Sequence, residues 1–251
     1  MQNRFNMNFA GRLAVVFVVG AMAWLPAVSP AQPGTGTPDF SGVWFPQGFA
    51  RRNPNPLPFT EAAQALADEY ATQFNADDDP GKYCIWPGMP RVIWGAPFAI
   101  EIFHRPQDLT VYWEGYGMYR KIYMEGSNAP EPILHTAMGH SMAHWDGDEL
   151  VIETTHLREH PYMDDLPATT EAHVTERYKF EQREQDGVLR DFIVADVTLT
   201  DPKVYTEPVT MRAQARREPD MHILEYTCST TLWEEYLLEN NLTPPDLSTR
   251  P

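Results

Sequence analysis

Between Phe98 and Cys228 apolar residues recur at every second position, segment after segment, with short polar turns between the segments. That period puts successive side chains on opposite faces of an extended chain, so each segment can bury one face and wet the other. The predicted strands are Phe98–His104, Leu109–Glu114, Met118–Met124, Ser141–Trp145, Asp148–Thr155, Glu171–Gln182, Val188–Leu199, Val209–Arg217 and Met221–Cys228. Arg105-Pro106-Gln107-Asp108, Asp146-Gly147, Gln185-Asp186-Gly187 and Glu218-Pro219-Asp220 supply the hairpin turns. Upstream, Asp39–Trp44 reads as a short strand, and Thr60 can cap a helix running to about Phe74, with Ala62, Leu66, Tyr70 and Phe74 on one stripe. Thr231–Asn240 reads as a closing helix. Open sheet edges template aggregation, so this many hairpin-linked strands are expected to curl into an antiparallel β-barrel, with a two-sheet sandwich as the alternative. The fold class is therefore mainly β, with one helix before the main sheet and one short helix near the C terminus.

The N terminus reads as an address. Arg4 and Arg12 precede an apolar run from Leu13 to Val28, and Ser29-Pro30-Ala31 supplies the small residues of a secretory cleavage site. Gly20 and Pro26 interrupt the run, which is also short for a membrane span. The expected division is a signal peptide over 1–31, a flexible leader over 32–38 and one domain over 39–251. The mature protein is expected in the periplasm or outside the cell, with no membrane span. In that oxidising setting the only two cysteines, Cys84 and Cys228, are expected to pair. A bridge across so long a loop contributes on the order of 5 kcal/mol in the chain-entropy model.

Charge excludes several partners. Nineteen basic residues face thirty-five acidic ones, a net charge of −16. Such a chain has no basic surface to displace counterions from a nucleic acid or an anionic membrane. No glycine-rich nucleotide loop and no G-x-S-x-G elbow appears, so the expectation is a cofactor-free protein.

The candidate chemistry lies on the alternating strands. In Glu171–Gln182 one face carries Ala172, Val174, Glu176, Tyr178 and Phe180, which puts Glu176 in the middle of an apolar wall. Glu101 alternates with Ala99 and Phe103, and Glu225 with Met221 and Ile223, although each has an equally apolar opposite face. A buried carboxylate must be paired, hydrogen-bonded or neutral, and Arg120, Arg177 and Arg212 are the available partners. If Asp146-Gly147 forms the two-residue turn, His140 falls directly opposite Glu153, with their Cβ atoms about 5 Å apart. Such a pair can orient an imidazole and raise its basicity. His135, Met138, His140, Met142 and His144 interleave in a way that would suit copper. On a strand, however, His140 and His144 lie about 13 Å apart, so no metal set is assigned.

The runs DFSGVW, CIWPGMPR, PFAIEIFHRP, YRKIYMEG, GHSMAHWDGDELVIETT, TERYKF, DPKVYTEP and EYTC together resemble a family of exported bacterial proteins. Its pattern is close to G-H-S-x-x-x-W-E-G-D-x-L-V-V-E-T-T, followed by D-P-x-x-Y-T-x-P. The resemblance implies export and carries no activity with it. Its matching positions are Glu101, Arg120, Tyr123, His140, Trp145, Glu153, Glu176, Asp201, Tyr205 and Glu225, with Asp146 where the pattern has Glu. Gly42-x-Trp44 also resembles the opening of lipocalin-type (calycin) barrels.

Three functions are open on these residues. The first is an acid–base enzyme of the lyase, isomerase or cyclase type, hydrolase included, acting on a small apolar or aromatic molecule. His140, Glu153, Glu176 and Glu101 would be catalytic, and Arg120, Tyr123, Trp145, Tyr205 and Glu225 would bind substrate. The second is a non-catalytic carrier of such a molecule or a binder of an envelope partner. The third is periplasmic copper or metal handling. The oligomeric state is left open.

Overall fold

The alternation closes into a ring. The structure is a computed structural model. It describes residues 37–48, 51–75, 78–86, 88–93, 98–131, 133–163 and 165–244, without the side chains of 51–53. The expected signal peptide and most of the leader lie outside the described residues. The strands are β1 (Gly42–Pro46), β2 (Arg51–Asn53), β3 (Ile100–Arg105), β4 (Asp108–Trp113), β5 (Met118–Met124), β6 (His140–Asp146), β7 (Glu149–Thr155), β8 (His173–Gln185), β9 (Val188–Thr200) and β10 (Val209–Arg217). The helices are α1 (Glu61–Tyr70) and α2 (Thr231–Asn240). Strands β3 to β10 follow one another around the sheet, and β1 bridges β3 to β10. That makes a closed barrel of nine strands, with β2 added along the far part of β10. The sandwich is excluded.

One pair runs parallel, β5 with β6. Parity requires it. Each antiparallel contact reverses the strand direction, so a closed ring needs an even number of them, and nine contacts cannot all be antiparallel. The parallel contact falls where no tight turn exists, because parallel neighbours need a long connection. Residues 125–139 provide it.

Barrel closure also explains a correction. Met221–Cys228 is irregular chain and not a strand. β10 already has β9 on one side and β1 and β2 on the other, so no edge is left to extend. The segment is held by the Cys84–Cys228 disulfide, whose Cα atoms lie 5.6 Å apart, and by the Leu224 amide donating to Glu114 at 2.9 Å.

The turns are local chemistry. β8 and β9 meet at Gln185 and Val188, and both intervening residues, Asp186 (φ 52°) and Gly187 (φ 74°), take the left-handed region of a type I′ turn. α1 starts where expected, with the Thr60 hydroxyl accepting from the Ala63 amide at 3.2 Å, a cap typically contributing about 1 kcal/mol. It buries Ala63, Leu66 and Tyr70, and ends at Tyr70. Phe74 lies beyond its end, stacked on Tyr70 at 4.3 Å.

β1 is tied across the barrel. The Trp44 indole N–H donates to the Phe40 carbonyl at 2.9 Å, and the Arg217 guanidinium lies 4.4 Å from the Trp44 ring centroid. Arg217 also donates to the carbonyls of Ser41 and Asp39. Gly42, at φ 112°, lets the chain turn there, and a Cβ on it would sit 3.2 Å from Arg217 Nη1. Among the described residues no helix is long and apolar enough to cross a membrane.

Candidate functional site: a buried ion pair in the barrel

Side chains at alternate positions of β3 to β10 line the interior, and most are aliphatic. Val174, Glu176, Tyr178 and Phe180 of β8 face Leu199, Val197, Ala195 and Ile193 of β9. Two charges enter this wall. Arg120 comes from β5 between Met118 and Ile122, and Glu176 comes from β8; they are 2% and 0% exposed. The expectation of an inward Glu176 paired to an arginine is met, and the partner is Arg120.

The pair is bidentate. Arg120 Nη1 donates to Glu176 Oε2 at 3.0 Å and Nη2 to Oε1 at 2.6 Å. Nη2 also donates to Thr154 Oγ1 at 2.6 Å, and Nε to Ser141 Oγ at 3.0 Å. The Tyr178 hydroxyl donates to Glu176 Oε2 at 2.9 Å. A buried charge must be matched in this way, because the interior returns little of the lost hydration. Burial works to lower the Arg120 pKa, and the adjacent Glu176 carboxylate overcomes it and holds the guanidinium raised. Burial pushes the Tyr178 phenol well above its ordinary range, and the charge on Glu176 adds to the effect.

Beside this network is a cavity of about 50 Å³, lined by Phe40, Ile102, Trp113, Ile152, Ile193 and Ala213, with Arg120 and Tyr178 on its polar side. That is room for about three or four water molecules or a small apolar fragment. Phe40 plugs it from the N-terminal side, stacked on Trp145 at 5.9 Å and edge-on to Tyr178 at 6.4 Å. Trp145 thus meets the site through Phe40.

The His140–Glu153 expectation is corrected. His140 stands opposite Thr155, and Glu153 opposite Met142. The turn residues are Gly147 and Asp148, between paired Asp146 and Glu149, and Gly147 alone takes positive φ (65°), as a type II′ turn requires. This shifts the partner by two residues and keeps both side chains on one face. That face is the outer one, because Ser141, Ala143, Leu150 and Ile152 occupy the inner positions. Glu153 instead accepts from Thr175 Oγ1 at 2.9 Å and meets His173 Nε2 at 2.8 Å. The expected acid has a histidine partner, and it comes from β8.

Other assignments also move. Glu101 is on the outer face, opposite Val43 and Tyr112, because Ile100 and Ile102 face the cavity. Tyr123 is likewise outward and stacks on His140 at 5.9 Å. Tyr205 is buried, with its hydroxyl donating to the Pro167 carbonyl at 2.8 Å, so it fastens loops and does not line the cavity. Asp201 fastens the same region, accepting from the Thr169 amide at 2.6 Å and hydroxyl at 2.9 Å. Glu225 is exposed on the irregular segment.

Ser141, Thr154 and Tyr178 are the site residues that pattern reading missed. Their signal was parity: each is a polar group at an inward position, beside Ala143, Ile152 and Glu176. No family model matches the chain, and no curated protein matches it.

Proposed function

We propose that the protein is a binding module, which takes a small apolar or aromatic molecule, or the apolar end of one, into the barrel cavity. The observation that carries this reading is the pairing of the inward carboxylate. Glu176 is held by Arg120 and Tyr178 beside an aliphatic wall, and His140, Glu153 and Glu101 stand outside it. An acid so committed serves as a rigid polar floor, against which the Tyr178 hydroxyl oxygen and its neighbours orient a ligand's polar end. Export to the periplasm or beyond belongs to the same reading, supported by the N-terminal apolar run and the disulfide.

The test is titration of the purified protein with xenon, an apolar probe small enough for a cavity of about 50 Å³, read by xenon NMR, together with native mass spectrometry for a retained small molecule. Ala213→Phe fills the cavity from its wall and is expected to abolish probe binding while the circular dichroism stays that of a β-protein. Equal binding by the filled variant overturns the reading.

Acid–base catalysis is the second reading, carried by the Tyr178 hydroxyl donating to Glu176 at the edge of the cavity. It requires turnover of a bound molecule that Tyr178→Phe removes without weakening its binding.

A further inference from the structure

On the outside of the barrel, behind the wall that faces the cavity, a second recess lies over β1, β3 and β4. It has a volume of about 460 Å³, with Ser41, Gly42, Glu101, Phe103, Arg105 and Thr110 on its walls. Sites for small molecules span about 300–1,000 Å³, so the recess is of ligand size. We propose that it binds a small organic ammonium ion, with the cationic head on Glu101 and the carbon body on Phe103. The site is separate from the barrel cavity and does not depend on what that cavity holds.

Strand register places these groups. Glu101, Phe103 and Arg105 share the outward face of β3, because Ile100 and Ile102 face the cavity. Glu101 stands between Val43 of β1 and Tyr112 of β4, and Phe103 stands opposite Thr110. Tyr119 of β5 continues the row beyond Tyr112. Phe103 is 49% exposed and Tyr119 63%, so aromatic surface is left in water on either side of the carboxylate's row. β3 has β1 on one edge and β4 on the other, so the recess offers side chains and no free backbone edge to an added strand.

Charge selects the ligand. The cations around the recess have acids of their own. Arg105 and Lys121 each meet Asp108 at 2.8 Å. Arg217, which donates to the Ser41 carbonyl, meets Asp191 at 3.2 Å. Glu101 has no hydrogen bond or ion pair among the described residues. It is half-buried, so its carboxylate has lost part of its hydration and gained no partner in return. A cation in the recess makes good that loss, whereas an anion adds to it. Same-face neighbours on a strand are about 7 Å apart, and a cation is attracted to an aromatic face from within about 6 Å of its centroid. A head group lodged between Glu101 and Phe103 therefore reaches both. The net charge of −16 draws such ions to the surface.

The experiment is an NMR titration of the disulfide-intact protein with choline and, separately, with its uncharged isostere 3,3-dimethylbutan-1-ol. Choline is expected to saturate one site per chain, with cross-relaxation between its methyl protons and the Phe103 ring. The isostere should bind about fivefold more weakly or worse, because it lacks the charge. Glu101→Gln should weaken choline by a similar factor and leave the isostere unchanged. Phe103→Leu should weaken choline about two- to fivefold. Glu153→Gln, an acid on β7, and Ala213→Phe, which fills the barrel cavity, should leave choline binding unchanged. Circular dichroism verifies that each variant is folded, and the comparison of choline with its isostere on the wild type needs no variant. Equal binding of the two probes, no saturable binding, or full binding by the Glu101→Gln/Phe103→Leu variant overturns the site. So does loss of choline binding in Glu153→Gln or Ala213→Phe, which would put the ion elsewhere. Tighter binding of N-acetyl-lysine methylamide than of choline would assign the recess to a protein side chain and overturn the small-molecule reading.

Discussion

Replacing Glu176 by Gln keeps the outline of the side chain and removes its charge. Arg120, 2% exposed, stays charged and keeps its bonds to Ser141 and Thr154. Of the two contacts to Glu176, at 3.0 and 2.6 Å, one becomes an amide N–H facing a guanidinium N–H. Hydrogen bonds to charged groups contribute about 1.5–3 kcal/mol each, and breaking a buried ion pair from one side costs about 3–5 kcal/mol. For a domain of this size that is a fall in Tm of roughly 6–20 °C. Arg120→Met should cost a similar amount, because it strands the carboxylate. The Arg120→Met/Glu176→Leu double variant should cost less than either single change, since Ser141 and Thr154 still bond each other at 3.0 Å and no charge is left buried. Urea unfolding followed by tryptophan fluorescence, with the disulfide intact, measures all three. An unchanged slope keeps the comparison valid. A Glu176→Gln variant within about 1 kcal/mol of wild type, or strict additivity in the double variant, would refute the reasoning.

Tyr178→Phe should cost about 1–2 kcal/mol at neutral pH by removing one hydrogen bond to a charged acceptor. Because the folded-state pKa of Tyr178 is raised by burial, its contribution is intact below the ordinary tyrosine value of 10.0 and is lost as pH rises beyond it. In a spectrophotometric titration, the wild-type minus Tyr178→Phe difference should be flat near pH 10; a step there contradicts the burial argument. Asp108 lies 2.8 Å from both Arg105 and Lys121, and these cations outweigh burial and hold its carboxyl below the ordinary 3.8. Asp108→Asn should therefore cost about 1–3 kcal/mol at pH 7, and the difference should vanish as acid unfolding experiments go below the native-state pKa. Cys84→Ala/Cys228→Ala should lower stability by up to about 5 kcal/mol, read from the urea midpoint, with the barrel's circular dichroism retained under native conditions.

The barrel was legible because β8 and β9 alternate cleanly and their turn is unambiguous. Inward Glu176 followed from the same alternation, whereas the choice of Arg120 over Arg177 and Arg212 did not, because only the finished barrel shows that the latter two pair with surface acids. Register was not legible at β6 and β7, since an Asp-Gly dipeptide serves two turn types. In Asp186-Gly187 both residues are central to the turn, whereas Asp146 ends a strand and Gly147 opens the turn. Glu101 was placed on the wrong face because β3 is apolar on both; Phe103, 49% exposed, looks as buried in sequence as Ile102. The Glu153–His173 pair depends on the β7–β8 register, and the long 156–172 connection encodes none. Met221–Cys228 has strand periodicity, but whether an edge remains to receive a strand is a property of the finished ring.

The junction of β1 with β10 also bears on the order of assembly. Arg217 and Asp39, which it brings into contact, are 178 positions apart in the chain. β3 to β5 and β6 to β10 are runs of neighbours that pair soon after they are made. β1 is synthesised before any of them, yet one of its two edges has no partner until β10 has emerged. Long-range pairings form slowly because the intervening loop must be closed first. The earliest strand of the barrel is thus the last to be fully seated, and until then Trp44 and the Phe40 plug lack their anchor on Arg217. A ring that cannot shut until its last strand appears leaves the barrel interior open for as long as the strands between β1 and β10 are being made.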